Sequence, residues 1–185
     1  TVSGPIGPSA VSRGVIAFDV TDLTVRDIKL RGFGVGVQVA DTSNLVAGTS
    51  MFEEPRRSRR VNIDQVEVTQ AAKQGIHVRA DVFSITDSTV SYIGPSTTSP
   101  HAFSTGIMAV GNACARDGNA VFGGPPVGEG EIIGMALYKA VGCRVENNTV
   151  TFNKWFEYGR NYGIWTRPEA GGMPLVSNNF VSGAH

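Results

Sequence analysis

Val145-Glu-Asn-Asn-Thr-Val150 and Val176-Ser-Asn-Asn-Phe-Val181 are two copies of one hexad. The same pattern stands at Val25-Arg-Asp-Ile-Lys-Leu30, Ile63-Asp-Gln-Val-Glu-Val68 and Ile85-Thr-Asp-Ser-Thr-Val90. Its first and sixth positions are aliphatic in every copy, and Leu23, Val61, Phe83 and Cys143 place another apolar residue upstream. A second block, opened by glycine, precedes three copies: Gly14-Val-Ile-Ala-Phe18, Gly75-Ile-His-Val-Arg79 and Gly134-Met-Ala-Leu-Tyr138. It starts 11, 10 and 11 residues before the hexad, an offset too constant for chance. A unit recurring in this way marks a repeat architecture.

Each run is short, alternates apolar with polar residues, is rich in Val and Ile, and is broken by Asn, Asp or Gly. Such runs read as strands, and no helical stripe interrupts them. Three short strands per coil, with coils stacked about 4.8 Å apart, predict a parallel β-helix. Val145 and Val150 then point inward and Asn148 turns the corner between them. The equivalent corners are Ile28, Val66, Ser88 and Asn179. Asn148 and Asn179, on adjacent coils, are expected to bond their amides to each other and to turn carbonyls, because buried polar groups need partners.

Composition narrows the rest. The 185 residues carry 16 Lys+Arg and 16 Asp+Glu, so there is no net field to gather nucleic acid or an anionic membrane. No apolar run approaches the roughly 20 residues that span a bilayer. Two cysteines are too few for a disulfide-built scaffold or a four-thiolate zinc site.

The hexads, with an Asn at the inward corner, resemble the right-handed β-helix repeats of the pectate-lyase-like superfamily. The resemblance covers nearly the whole chain and implies an all-β, right-handed parallel β-helix (solenoid) of about five coils with loop insertions, secreted or at the cell surface. In that family the hexad is the second strand, corner and third strand, and the glycine block is the first strand. The first-strand sheet is where the family usually binds polysaccharide. The fold is specific and the function is not, since lyases, hydrolases, epimerases, tailspikes and adhesins share it. Neither the Asp pairs and Gly-His-Gly of polygalacturonases, nor the calcium-binding Asp pair of pectate lyases, nor the Asp-Pro-His of alginate epimerases stands in the sequence.

Hexad starts at 25, 63, 85, 145 and 176 are separated by 38, 22, 60 and 31 residues, so only the second gap is a bare coil. Residues 1–185 are read as a single β-helix domain with loop excursions near 42–60, 111–133 and 152–162. The first excursion holds Glu53, Glu54 and the run Arg56-Arg57-Ser58-Arg59-Arg60. Between Gly106-Ile-Met-Ala-Val110 and Gly134-Met-Ala-Leu-Tyr138 no hexad is found, which favours a long loop over a further coil. The last excursion carries Trp155, Phe156, Tyr158 and Tyr162. Long loops on a rigid scaffold are where function tends to sit.

Stacked by register, the first strands present Gln38, His77, Met108, Ala136 and Trp165 in one outward column, and Ala40, Arg79, Val110, Tyr138 and Arg167 in the next. Such a strip suits an acidic sugar polymer. Arg79 or Arg167 would neutralise a uronate carboxylate, His77 would take the α-proton and Tyr138 would protonate the leaving oxygen. Gln38, Trp165, Trp155 and Tyr158 are the expected sugar contacts. No pair of carboxyls flanks the strip at glycosidase spacing, although Asp117, Glu129 and Glu131 lie in the third gap. Lyase or epimerase chemistry is therefore favoured over hydrolysis if the protein is an enzyme. The alternative is a non-catalytic structural or adhesive β-helix, a rod, spike or filament unit.

No metal site or cofactor is required. Asp19, Asp41 and Asp81 follow their first strands at similar offsets and would bind Ca²⁺ or, more commonly, only shape turns. Cys143 aligns with the core column, and a bond to Cys114 is left open. Asn147-Asn-Thr149 fits a glycosylation sequon and, more simply, a coil corner. Val181-Ser-Gly183 and Thr1-Val-Ser-Gly4 occupy the same phase of the repeat. The chain is thus expected to be a segment of a longer one or a unit that stacks end to end on its copies, because bare solenoid ends expose core and strand edges.

Overall fold

The computed structural model describes residues 1–4, 12–41, 58–93, 103–111, 113–123, 131–138, 142–152, 160–167 and 173–183. All regular structure in them is β. The first strands are Arg13–Phe18, Val35–Ala40, Gln74–Arg79, Phe103–Val110, Glu131–Tyr138 and Arg160–Arg167. The second strands are Thr24–Arg26, Val61–Asp64, Val82–Thr86, Ala113–Asp117, Arg144–Glu146 and Leu175–Ser177. The third strands are Lys29–Arg31, Glu67–Thr69, Thr89–Ile93, Ala120–Gly123, Thr149–Phe152 and Phe180–Ser182, preceded by Val2–Ser3. Each class forms its own sheet, of 6, 6 and 7 strands, in which every strand pairs with its equivalent in the neighbouring coil. All the pairs are parallel, an arrangement that fits a parallel β-helix.

The described residues therefore supply six sets of three strands where about five coils were expected. The additional one lies in the third gap, which is not a long loop throughout: Ala113–Asp117 and Ala120–Gly123 pair on both sides with the coils above and below. Its hexad is Arg116-Asp-Gly-Asn-Ala-Val121. Arg116 occupies the first position, in register with Ile85 and Val145, so a search for an aliphatic residue there passes over it. Cys114 is likewise not a loop residue. It stands opposite Phe83 in the core column and is disulfide-bonded to Cys143.

Two devices give every coil the same shape. The residue before each corner adopts left-handed φ: Asp27, Gln65, Asp87, Gly118, Asn147 and Asn178 lie between 47° and 65°. The next residue turns inward. Val66 N–H donates to Ser88 Oγ, Ser88 N–H to Asn119 Oδ1, Asn119 N–H to Asn148 Oδ1 and Asn148 N–H to Asn179 Oδ1, at 2.9–3.1 Å. The amides also bond to one another as expected for Asn148 and Asn179, at 2.9 Å, and Asn119 extends the ladder. Buried backbone N–H groups that a bend takes out of the sheet are thus satisfied by side chains.

The second device is the glycine at the head of each first strand. A Cβ at Gly75 would lie 2.2 Å from Val90 Cγ1 and 2.6 Å from the Gly106 carbonyl oxygen. The sixth hexad position packs directly against this column, so the constant offset seen in the sequence is a contact between the two motifs. Inside, Val37, Ile63, Ile76, Ile85, Ile107, Met135, Leu137 and Val145 form one continuous core.

Candidate functional site

Because side chains alternate along a strand, the first strands send Val37, Ile76, Ile107 and Met135 into the core and the intervening residues outward. Pairing places Gln38 beside His77, His77 beside Met108, Met108 beside Ala136 and Ala136 beside Trp165. It also places Arg79 beside Val110, Val110 beside Tyr138 and Tyr138 beside Arg167. Both columns are those expected. A third was missed: Gln74, Thr105, Ile133 and Tyr162 also line up. Gln74 Nε2 donates to Met108 Sδ at 3.0 Å, and Ile133 and Tyr162 pack with Met108, Ala136, Tyr138 and Trp165 in a second apolar cluster. The signal for it was the residue preceding each glycine.

The strip is not the open surface that the proposed chemistry needs. His77, Arg79 and Tyr138 are 5%, 1% and 6% exposed, whereas Arg167 is exposed and Gln38 and Trp165 are half-buried. Gln38 accepts a hydrogen bond from Arg13 Nε. Trp155 and Tyr158, together with Arg56, Arg57, Glu53, Glu54 and Glu129, lie outside the described residues. Asp117 stands on the second-strand sheet, where it accepts a bond from Asn147 Nδ2 at 2.9 Å, and so does not overhang the strip.

Arg79 is committed elsewhere. Its Nε donates to Asp41 Oδ2 at 2.8 Å, and Asp41 Oδ1 accepts from Ser58 N at 3.0 Å and Ser58 Oγ at 3.2 Å. All three side chains are buried. Asp41 is therefore the counter-ion of Arg79, not a turn ligand for Ca²⁺. Among the described residues no three His, Cys, Asp or Glu side chains gather as a metal site would need.

His77 is a weak base here. Burial, then the positive charges of Arg79 and Lys73, push its pKa down to about 4, and neither ring nitrogen has a hydrogen-bond partner among the described residues. Burial pushes the Tyr138 phenol up, against the pull of Arg167, so it holds its proton. Arg79 and Tyr138 are separated by the intervening Val110 strand, so about 10 Å divides their coils.

What the structure does bring together lies on the last two coils. The Tyr138 and Trp165 rings meet edge to face with centroids 4.9 Å apart, and Arg167 pairs with Tyr138 one strand over. An indole fixed by a neighbouring ring, beside an exposed guanidinium, offers a flat apolar face and an anion contact. Compared with family models, curated proteins and solved structures, the chain matches none. Its function has to be argued from these residues.

Proposed function

We propose that the chain forms a secreted or cell-surface, right-handed β-helix of the pectate-lyase-like kind. It recognises an acidic polysaccharide at the Tyr138, Trp165 and Arg167 end of its first-strand face, without elimination chemistry at His77 and Arg79. The observation that carries this reading is the edge-to-face contact holding Trp165 next to exposed Arg167. A uronate would lay its ring on the indole and its carboxylate on the guanidinium. The Cys114–Cys143 disulfide supports an oxidising compartment.

The test is binding to polygalacturonate, alginate and hyaluronan, with absorbance near 235 nm followed for unsaturated products. Trp165→Ala and Arg167→Gln should each weaken binding about tenfold or more. Unchanged binding in both variants removes the proposal. Rising absorbance that depends on His77 would reinstate a lyase.

A second reading, a structural or adhesive rod, has its own observation. Leu175, Val176, Phe180 and Val181 of the last coil are exposed, although Val176 and Val181 align with core positions Val145 and Val150. A further coil, from the same or another chain, would bury them. Concentration-dependent sedimentation that Val181→Lys abolishes would favour self-stacking.

A further inference from the structure

We propose that the groove at Tyr92 and Phe122, on the outer face of the third-strand sheet, binds an uncharged saccharide. Ser91 pairs with Phe122 and Ile93 with Gly123, so Tyr92 is the extra residue of a β-bulge. Its φ is 56°, a region shared at the same phase by Gly32, Gln70 and Gly183. A bulky aromatic residue is strained there. The bulge turns Ile93 into the core and leaves Tyr92 63% exposed, beside Phe122 at 42%. Bulges commonly re-aim a side chain next to a site. Here a costly backbone geometry delivers an aromatic side chain to solvent beside a second one.

The groove has a volume of about 360 Å³ and is lined by Ser91, Tyr92, Phe122, Gly123, Thr151 and Phe152. That is the lower end of the range for ligand pockets. Phe122 lies in register between Ser91 and Thr151, so a hydroxyl stands on either side of its ring. Gly123 keeps the floor low, since a Cβ there would meet Phe152 Cδ1 at 2.5 Å. Among the described residues none of the lining side chains is charged, which favours a neutral ligand over an ionic one. A neutral pyranose matches the lining: its C–H face covers the rings, and its rim of hydroxyls reaches Ser91, Thr151 and the Tyr92 phenol.

This site is on a different sheet from the Trp165 end and stands or falls separately. The test is titration calorimetry of the full chain with cellohexaose, mannohexaose and isomaltohexaose. At least one should bind, and Phe122→Ser and Tyr92→Gly should each weaken it about tenfold or more, while Trp165→Ala leaves it unchanged. Tyr92→Gly relieves the positive φ, so its melting temperature should hold or rise as binding is lost, which a merely structural Tyr92 would not show. The proposal is overturned if none of the three binds below about 10 mM. It is also overturned if both groove variants bind like the parent, or if the parent dimerises through Tyr92 and Phe122.

Discussion

Arg79 and Asp41 form an ion pair inside the protein, with Arg79 Nε 2.8 Å from Asp41 Oδ2 and the side chains 1% and 0% exposed. The pair joins the third first strand to the residue following the second, 38 positions apart in sequence. It also holds Ser58, whose one hydroxyl proton is shared between Asp41 Oδ1 and the Ala40 carbonyl oxygen, each 3.2 Å away, and whose Oγ receives Val20 N–H at 3.3 Å.

Removing one partner should cost far more than removing both. Asp41→Ala leaves a buried guanidinium without its counter-ion and is expected to destabilise by about 3–5 kcal/mol. Asp41→Ala with Arg79→Met should cost clearly less than the sum of the single changes. Urea denaturation of the four-member cycle measures the difference, and strict additivity would show that the pair is not coupled.

His77 makes stability depend on pH. In the unfolded chain it takes up a proton near pH 6.5, whereas in the fold it stays neutral until about pH 4. Over that interval the unfolded state binds more protons, so stability falls as the pH drops from about 6.5 to about 4 and this contribution then levels off. His77→Gln should flatten that part of the curve of urea midpoint against pH. An identical slope in parent and variant would place the dependence elsewhere.

Arg116 is a cation buried in the core. It is 1% exposed, and its only hydrogen bond among the described residues runs from Nη2 to the Ala136 carbonyl oxygen at 3.0 Å. Nε and Nη1 are left unpartnered there, and burial brings its pKa down to about 9. Arg116→Met restores the aliphatic character of the other five hexads and should stabilise by about 1–3 kcal/mol, read as a higher thermal midpoint. The parent should gain stability relative to the variant as the pH rises above about 9, because the folded guanidinium sheds the proton that the unfolded one keeps. A variant that melts lower than the parent contradicts this account.

Asn148 is the centre of the corner ladder. Its Oδ1 receives the Asn119 N–H and Nδ2, and the two hydrogens of its own Nδ2 are shared among Glu146 O, Arg116 O and Asn179 Oδ1, at 2.7–3.1 Å. Asn148→Ala strands the two buried Asn119 donors and takes a donor from the Arg116 and Glu146 carbonyl oxygens, and should cost about 3 kcal/mol by chemical denaturation. Asn62→Ala is the control, since Asn62 is half-buried and, among the described residues, its side chain bonds only to the Ser84 hydroxyl, which its amide oxygen receives. Equal losses would mean that the ladder is not special.

The sheets and their columns were legible because a repeat forces equivalent residues into equivalent places. Val145, Val150 and Asn148 read alike in sequence and in space, and the register of His77 with Met108 and Trp165 follows from the glycine offset. The coil at Arg116 was not legible, because its hexad breaks the aliphatic rule at the first position. The outward strip was legible as a direction only: nothing local in Gly75-Ile-His-Val-Arg79 says that an outward His and Arg will be buried.

Sequence by itself determined the strand periodicity, the inward and outward faces, and the Asn corner, since each depends on neighbours within one coil or at the same phase of the next. Tertiary structure alone decided that Arg79 is spent on Asp41, that Cys114 joins Cys143, that His77 is kept neutral, and that Tyr92 meets Phe122 in a groove. These depend on burial and on contacts between coils, which set desolvation and pairing and leave no mark on any single stretch of chain.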